Sequence, residues 1–170
     1  MVIRRLFVAL PLAVVLLCVT PQVAGASNSP RMPVPFPSPF TASCPNFTVR
    51  VSIVKWDAYT ITRHLANGAV KISFRGRALA KVTNEKTGEA VIENIGGPAN
   101  VIFYPNGTGT EEVSGHALVD FTAAVAGAAG VPQLTGVHEL IGGIDLTFNS
   151  SGLTSFTYVG HVTDVCALLS

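Results

Sequence analysis

The chain carries few charged side chains and a single tryptophan. Charged residues make up 12% of its 170 positions, with 11 Lys and Arg against 10 Asp and Glu. A near-neutral chain exerts no general attraction on nucleic acid or on an anionic membrane surface. We therefore expect neither nucleic acid nor a membrane surface as a partner.

The chain also lacks the motifs that identify common catalytic and metal sites. It contains no Gly-x-Ser-x-Gly elbow, no Gly-x-x-x-x-Gly-Lys-[Ser/Thr] phosphate loop and no Cys-x-x-Cys pair. No two histidines lie within five residues of each other, whereas zinc ligands are closely spaced or converge from several strands. We assign no catalytic residue, metal ligand or cofactor from the sequence.

One long apolar run is present, and it lies at the N-terminus. Arg4 and Arg5 precede the apolar stretch 6–19, which contains Pro11, and a small-x-small cleavage site follows at 24–26. This layout predicts a secretory signal peptide over residues 1–26. No second stretch of about 18 apolar residues follows, so we expect a secreted, extracellular protein with no membrane insertion after cleavage.

Cys18 raises the alternative of a lipid anchor. A bacterial lipoprotein signal needs small residues just before its cysteine, but Leu16 and Leu17 occupy those positions. The sequence therefore argues against lipid attachment at Cys18. Cleavage after Ala26 would leave 144 residues, enough for one domain with a hydrophobic core.

Cleavage would also leave two cysteines, one near each end of the folded region. In an oxidising compartment an even pair of cysteines indicates a disulfide bond. A redox pair or a thiolate metal site is the alternative, but neither the spacing nor the histidine positions favour it. We predict a disulfide between Cys44 and Cys166 that clasps the last strand to the first.

A proline-rich segment, residues 27–43, separates the signal from the domain. It contains prolines at positions 30, 33, 35, 37 and 39. Because proline has no N–H to donate to a sheet, we predict extended polyproline or coil structure rather than strand. The segment is interpreted as a linker with Phe36 or Phe40 tucked onto the domain, and a peptide-docking motif or wall-spanning spacer is the alternative.

Residues 44–170 show β patterns almost throughout. Apolar and polar residues alternate over 47–54 and over 69–82, which predicts one strand in each stretch. Residues 84–88 read as a hairpin loop and 89–95 as its return strand. We expect Lys81 to oppose Glu89, because that register places opposite charges on one face.

The remaining pattern continues the same way. Strands are expected over 99–104, 110–121, 144–148 and 153–168, with turns at 105–109 and 149–152 and one short helical turn within 123–132. Seven or eight strands joined by short turns predict an all-β antiparallel meander in a single domain. A closed β-barrel is preferred over a β-sandwich, because closure would bring the last strand beside the first at the cysteine clasp.

Two stretches carry a resemblance to known proteins. The stretch TNEKTGEAVIENIGGPANVIFYPNGT (83–108) and the C-terminal SGLTSFTYVGHVTDVCALLS (151–170), with its Asp-Val-Cys signature, resemble a group of uncharacterised secreted proteins from actinobacteria. The resemblance covers about residues 44–170 and implies secretion, an all-β fold and the cysteine clasp. It implies no activity and transfers no functional residue.

Four side chains are candidates for ligand binding. Trp56 and Tyr59 offer rings for stacking, although a core position for Trp56 is the simpler interpretation. His116 shares a predicted strand face with Glu112, Ser114 and Asp120, and His161 lies near Asp164. A solvated outer face is the alternative interpretation for both histidines. His138 and Glu139 are placed in a loop or bulge before two glycines.

A cationic row on the predicted strand 69–82 is a further candidate. It consists of Lys71, Arg75, Arg77 and Lys81. The row could bind an acidic wall polymer, but Glu89 and Glu93 on the return strand are placed to neutralise part of it. A solvated strand face is the favoured interpretation.

Two classes of function therefore remain. The first is a non-catalytic secreted protein that binds a small apolar ligand or a cell-envelope component. The second is a cyclase-, isomerase- or hydrolase-type enzyme, and a purely structural envelope protein is a third possibility. Cavity volume separates a carrier from a structural protein. An enzyme requires His116 or His161 to point into the cavity with a carboxylate partner.

Overall fold

Antiparallel β-strands make up most of the structure, a computed structural model that describes residues 29–170. The large sheet has seven strands in the spatial order β1 (Arg31–Pro33), β4 (Tyr59–His64), β5 (Val70–Arg75), β8 (Ala99–Phe103), β9 (Gly109–Phe121), β10 (Gly136–Asn149) and β11 (Gly152–Asp164). The small sheet has four strands in the order β2 (Phe40–Ser43), β3 (Thr48–Trp56), β6 (Ala78–Asn84) and β7 (Ala90–Asn94). The helical elements are α1 (Ala123–Ala128), a 3₁₀ turn (Pro132–Leu134) and α2 (Val165–Leu168).

The all-β, antiparallel fold class is confirmed, and so is the short helix after β9. The strands number eleven rather than seven or eight among the described residues. They form two separate sheets, and neither closes on itself within residues 29–170. The preference for a closed barrel is therefore not confirmed.

The predicted signal peptide and Cys18 lie outside the described residues. No helix within 29–170 combines the length and the apolar character needed to cross a membrane.

The prediction of one strand over 69–82 is wrong, because the chain crosses between the sheets at Gly76. β5 belongs to the large sheet and β6 to the small one. Gly76 has φ +119°, and a Cβ there would lie 2.2 Å from the carbonyl oxygen of Asp57. Only glycine tolerates both conditions. The preceding β3–β4 connection crosses at the same level, where the Asp57 N–H donates to the Arg77 carbonyl at 2.8 Å.

The predicted pairing of Lys81 with Glu89 is also wrong. Lys81 lies opposite Ile92, and Glu93 lies opposite Ala80. The tight turn after β6 causes the shift, because the Asn84 N–H already bonds to the Glu89 carbonyl at 2.8 Å. Since this shift is an odd number of residues, it exchanges the two faces of the return strand. Glu93 consequently points towards the large sheet.

The segment predicted to be a linker without strands contributes a strand to each sheet. β1 occupies an edge of the large sheet and pairs with β4, and β2 occupies an edge of the small sheet and pairs with β3. Edge strands tolerate proline because one side of their backbone needs no sheet partner. The segment was predicted to tuck either Phe36 or Phe40 onto the domain. Phe40 packs against the core, whereas Phe36 is 61% exposed.

The three longest strands share a row of glycines. Gly115, Gly142 and Gly160 are neighbours across β9, β10 and β11, with φ of +88°, +150° and +144°. A Cβ on Gly142 would lie 2.1 Å from the Val159 carbonyl oxygen. Glycine within a strand marks a bend or a close backbone approach. The backbone of all three strands departs from regular extended geometry at these glycines.

Two hydrophobic clusters lie on opposite sides of the large sheet. The first packs one face of β9–β11 against α1 and the 3₁₀ turn, and includes Phe121, Leu134 and Phe156. The second lies between the two sheets and includes Val51 and Val82 of the small sheet with Leu118 and Val137 of the large one. β9 and β10 therefore contribute side chains to both clusters.

The predicted disulfide is confirmed. Cys44 follows β2 and Cys166 lies in α2, with Cα atoms 5.5 Å apart and 122 residues of separation. Both cysteines belong to the cluster between the sheets. The bond holds the short helix after the last strand, rather than that strand itself, against the start of the small sheet.

Candidate ligand-binding site

A small cavity lies where the chain crosses between the sheets. Its volume is about 70 Å³. The apolar part of its wall includes Trp56, Phe74, Ala99, Val113, Ala117 and Leu118. Arg75 and His116 add polar groups to the same wall. The cavity therefore combines an apolar interior with two side chains able to bind a polar group.

Trp56, at the end of β3, is held in place by its own ring nitrogen. The Nε1–H donates to the carbonyl of Val34 at 2.9 Å, which ties the N-terminal segment to the cavity wall. Because that N–H is satisfied, the half-buried ring presents an apolar surface to the cavity. Trp56 therefore forms part of a cavity wall. Its ring is half-buried, so it is neither an exposed stacking platform nor a fully buried core residue.

His116 has a carboxylate partner that the sequence analysis did not assign to it. Its Nδ1 lies 2.9 Å from Oε1 of Glu139 on the neighbouring strand β10. Glu112, Ser114 and Asp120, the predicted neighbours, form no hydrogen bond with this ring. The contact between His116 and Glu139 depends on the register between β9 and β10, and that register cannot be read from the sequence pattern of either strand alone.

Glu139 and its neighbour His138 were predicted to lie in a loop or bulge, and this is wrong, because both pair regularly within the sheet. Both are buried within β10. Glu139 is in register with Leu118, which packs between the sheets, so its side chain faces the small sheet and meets Glu93 of β7.

Glu93 completes a group that joins the two sheets, named here the carboxyl–histidine cluster (Glu93, His116, Glu139). Burial, the negative charge of Glu139 and a hydrogen bond with that residue raise the pKa of Glu93 to about 7, with His116 opposing the shift. Two adjacent carboxyl groups resist simultaneous ionisation, so a proton is retained near neutral pH. The cluster lies beside the cavity through its shared member, His116.

The other two predicted binding residues are not brought to the cavity. Tyr59 lies beneath the guanidinium of Arg31, with 4.9 Å from Cζ to the ring centroid. His161 is exposed on β11 and lies opposite Ile141. Neither residue lines the cavity wall.

Arg75 was predicted as one member of a continuous cationic row, and the break at Gly76 divides that row between two sheets. Its guanidinium instead folds onto the end of the β5–β8 ladder. Nη1 donates to the carbonyls of Phe74 at 2.6 Å and Ala99 at 3.0 Å, and Nη2 donates to Oδ1 of Asn100 at 3.2 Å. These contacts hold the charge at the cavity wall.

The sequence analysis did not predict the burial of two further polar residues, Glu111 and His138. Glu111 is 7% exposed, its Oε1 has no hydrogen-bond partner, and burial raises its pKa to about 7. His138 is likewise buried, with Nδ1 unpartnered. A signal existed for Glu111, because it shares the period-two face of Val113 and Ala117. Neither residue lines the cavity.

Within residues 29–170, no group of three or more His, Cys, Asp or Glu side chains is arranged to hold a metal ion. The carboxyl–histidine cluster can exchange protons through Glu93, because the pKa of that carboxyl group is raised to about 7.

Comparisons of the chain with protein-family models, with curated proteins and with solved structures gave no match. The resemblance to secreted actinobacterial proteins therefore stays a prediction.

Proposed function

We propose that the protein is a secreted binding protein whose cavity between the sheets takes a small apolar group of its ligand. One observation carries the proposal. Trp56 and His116, which are 60 positions apart in the chain, line the same small cavity, and the rest of its wall is largely apolar. Ligand sites typically combine such a wall with a few polar groups that fix orientation.

The cavity volume limits what can enter. At about 70 Å³ it is roughly half the size of an engineered cavity of about 150 Å³ that binds benzene. It would therefore accept a group of about three to five carbon atoms. A short-chain molecule would fit whole, whereas a larger cell-envelope component would insert one apolar branch and remain outside with the rest.

Secretion forms part of the proposal. It is supported by the signal-like residues 1–26 and by the Cys44–Cys166 bond, since disulfides persist in oxidising compartments. N-terminal sequencing of the protein from culture medium should begin at Ser27. An N-terminus still carrying residues 1–26 in the medium would contradict signal cleavage.

The binding proposal is tested first by native mass spectrometry of the protein recovered from its own culture medium. We expect an added mass that disappears on denaturation. Trp56 is the only tryptophan, so its fluorescence reports directly on occupation of the cavity.

Two variants make that test specific. Ala117→Leu places a larger side chain at the cavity wall and should abolish both the added mass and the fluorescence change. Ala124→Leu makes the same change on the exposed side of α1 and should preserve them. Equal binding by wild type and Ala117→Leu would exclude the cavity as the site.

Acid–base catalysis is a second candidate function, favoured by the His116–Glu139 pair. The imidazole lines the cavity, and its Nδ1 is engaged with a carboxylate. Such a partner orients the ring and leaves Nε2 to exchange a proton with a bound molecule. Incubation of the natural ligand with the protein in D₂O tests this candidate. Deuterium incorporation that is lost in His116→Gln would support an isomerase-type activity, and no incorporation would exclude it.

A further inference from the structure

We propose that the ligand of the cavity carries a carboxylate group and that Arg75 binds it. This inference rests on the proposed binding function and adds the chemical class of the ligand. The polar end of the ligand would lie against the guanidinium, with its apolar group between the sheets.

Arg75 carries a positive charge that no carboxylate within residues 29–170 neutralises through an ion pair. The ion pairs formed within residues 29–170 are Lys55–Asp57 and His116–Glu139. Arg75 takes part in neither, and its acceptors are two backbone carbonyls and one amide oxygen. These neutral acceptors satisfy N–H groups but do not cancel the formal charge. A half-buried cation at a largely apolar wall therefore attracts an anionic group.

The guanidinium of Arg75 also has N–H donors that its protein contacts leave unused. An arginine side chain has five N–H donors in a planar fork, and three hydrogen bonds are made here. Two N–H groups remain for a carboxylate, the number that a bidentate contact uses. The bonds to Phe74, Ala99 and Asn100 already hold the side chain in place, so little conformational entropy is lost when a ligand binds.

The other ionisable side chains near the cavity, Glu93, His116 and Glu139, contact one another rather than Arg75. Glu139 is paired with His116, and Glu93 is hydrogen-bonded to Glu139. The carboxyl groups of the cluster are therefore engaged with each other and with His116, and Arg75 forms an ion pair with neither of them. A ligand amine would meet this cation, whereas a ligand carboxylate would be attracted to it.

Three probes with one shared apolar group separate these possibilities. They are 3-methylbutanoate, 3-methylbutanamide and 3-methylbutylamine, which share an isobutyl group and carry an anionic carboxylate, a neutral amide and a cationic ammonium at the polar end. Affinities would be measured by Trp56 fluorescence and calorimetry at pH 6.5 on the folded, disulfide-bonded protein. We expect the carboxylate to bind at least tenfold more tightly than the amide, and the amine to bind most weakly.

Two variants assign the preference to Arg75. Arg75→Gln should reduce the carboxylate-to-amide ratio to about one. Arg77→Gln removes the same charge from an exposed position two residues away and should leave the ratio within about twofold of wild type. Circular dichroism and an intact-mass check of the disulfide establish that each variant is folded. The wild-type ranking decides the proposal even if Arg75→Gln does not fold.

The outcomes distinguish this inference from the function on which it rests. Binding of the amide or the amine as tightly as the carboxylate would overturn the carboxylate assignment and leave an apolar binding cavity. A carboxylate preference that survives in folded Arg75→Gln would overturn the role of Arg75. No binding of any of the three probes would contradict both proposals.

Discussion

His116 and Glu139 meet diagonally across two neighbouring strands, with Nδ1 and Oε1 2.9 Å apart. His116 is in register with Ile141, and Glu139 is in register with Leu118, so the two side chains lean towards each other along the sheet. Glu93 of the small sheet approaches the same carboxyl group. The structure thus has an ionisable contact between its two sheets beside the cavity.

That contact predicts how stability varies with pH. The pKa of Glu93 is raised from 4.5 to about 7 in the folded protein, so the folded state holds this proton more tightly than the unfolded chain. The resulting stabilisation is complete below pH 4.5 and is lost as the pH rises through about 7. We expect urea unfolding to require less denaturant at pH 8 than at pH 5.

Glu93→Gln should reduce this dependence, because the amide cannot ionise, whereas Glu111, whose pKa is also raised to about 7, should still contribute to it. Glu89→Gln alters an exposed carboxyl group near the same strand and should leave the slope unchanged. A wild-type protein that is more stable at pH 8 than at pH 5 would show that this group does not govern the pH response.

Glu111 supports a separate prediction about the first hydrophobic cluster. Its carboxyl group is buried, and its Oε1 has no partner. Ionisation at this position is therefore unfavourable, and the pKa is raised to about 7. Glu111→Gln should increase the free energy of unfolding at pH 8 by about 1–3 kcal/mol and change it much less at pH 5. Thermal unfolding at both pH values measures the difference.

The matched control is Glu112→Gln, one residue along β9 and exposed on the other face. It should change stability by less than about 0.5 kcal/mol at either pH. An equal response of the two variants would mean that Glu111 is solvated in the folded protein.

Loss of the Cys44–Cys166 bond should destabilise the domain strongly. The bond closes a separation of 122 residues, for which the chain-entropy model gives roughly 4–5 kcal/mol. We expect the double variant Cys44→Ser/Cys166→Ser to unfold at much lower urea than wild type. Intact mass after alkylation without reductant should show no modified thiol in the wild-type protein. Alkylation of both cysteines in the folded protein would contradict the disulfide.

The glycine row predicts a sharp difference between two adjacent positions. A Cβ on Gly142 would lie 2.1 Å from the Val159 carbonyl oxygen, and its φ is +150°. A Cβ on Gly143 would meet no atom within 4 Å. Gly142→Ala should therefore cost at least about 2–3 kcal/mol, and Gly143→Ala less than about 1 kcal/mol. Urea unfolding of both variants gives the comparison, and equal losses would show that β10 accommodates the extra carbon.

Several features were predictable because they depend on neighbouring residues. The turn at 105–109 follows from Asn106-Gly107, and Gly107 has the positive φ that such turns use. The face of β9 that bears Val113 and Phe121 follows from alternation and is buried as expected. Glu111 belongs to the same face, so the same alternation also indicates that its side chain is buried.

The cavity was not predictable in the same way. Alternation continues across Gly76, so residues 69–82 look like one strand although they divide between two sheets. Trp56 was identified as a candidate by its chemistry, but its proximity to His116 depends on where the chain crosses. The contact of Glu93 with Glu139 depends on a hairpin register that the charges in the sequence favoured wrongly.

The sequence by itself determined the all-β class and several of the strand and turn positions, and its two distant cysteines were enough to predict the bond between them. The period of two is a local property of an extended backbone, so it can be read from the sequence. Only the tertiary structure decided which sheet each strand joined and that Trp56, Arg75 and His116 line one cavity. It also brought Glu93 to the His116–Glu139 pair. These relationships join residues far apart in the chain, and they are set by packing between sheets rather than by the preference of any one segment.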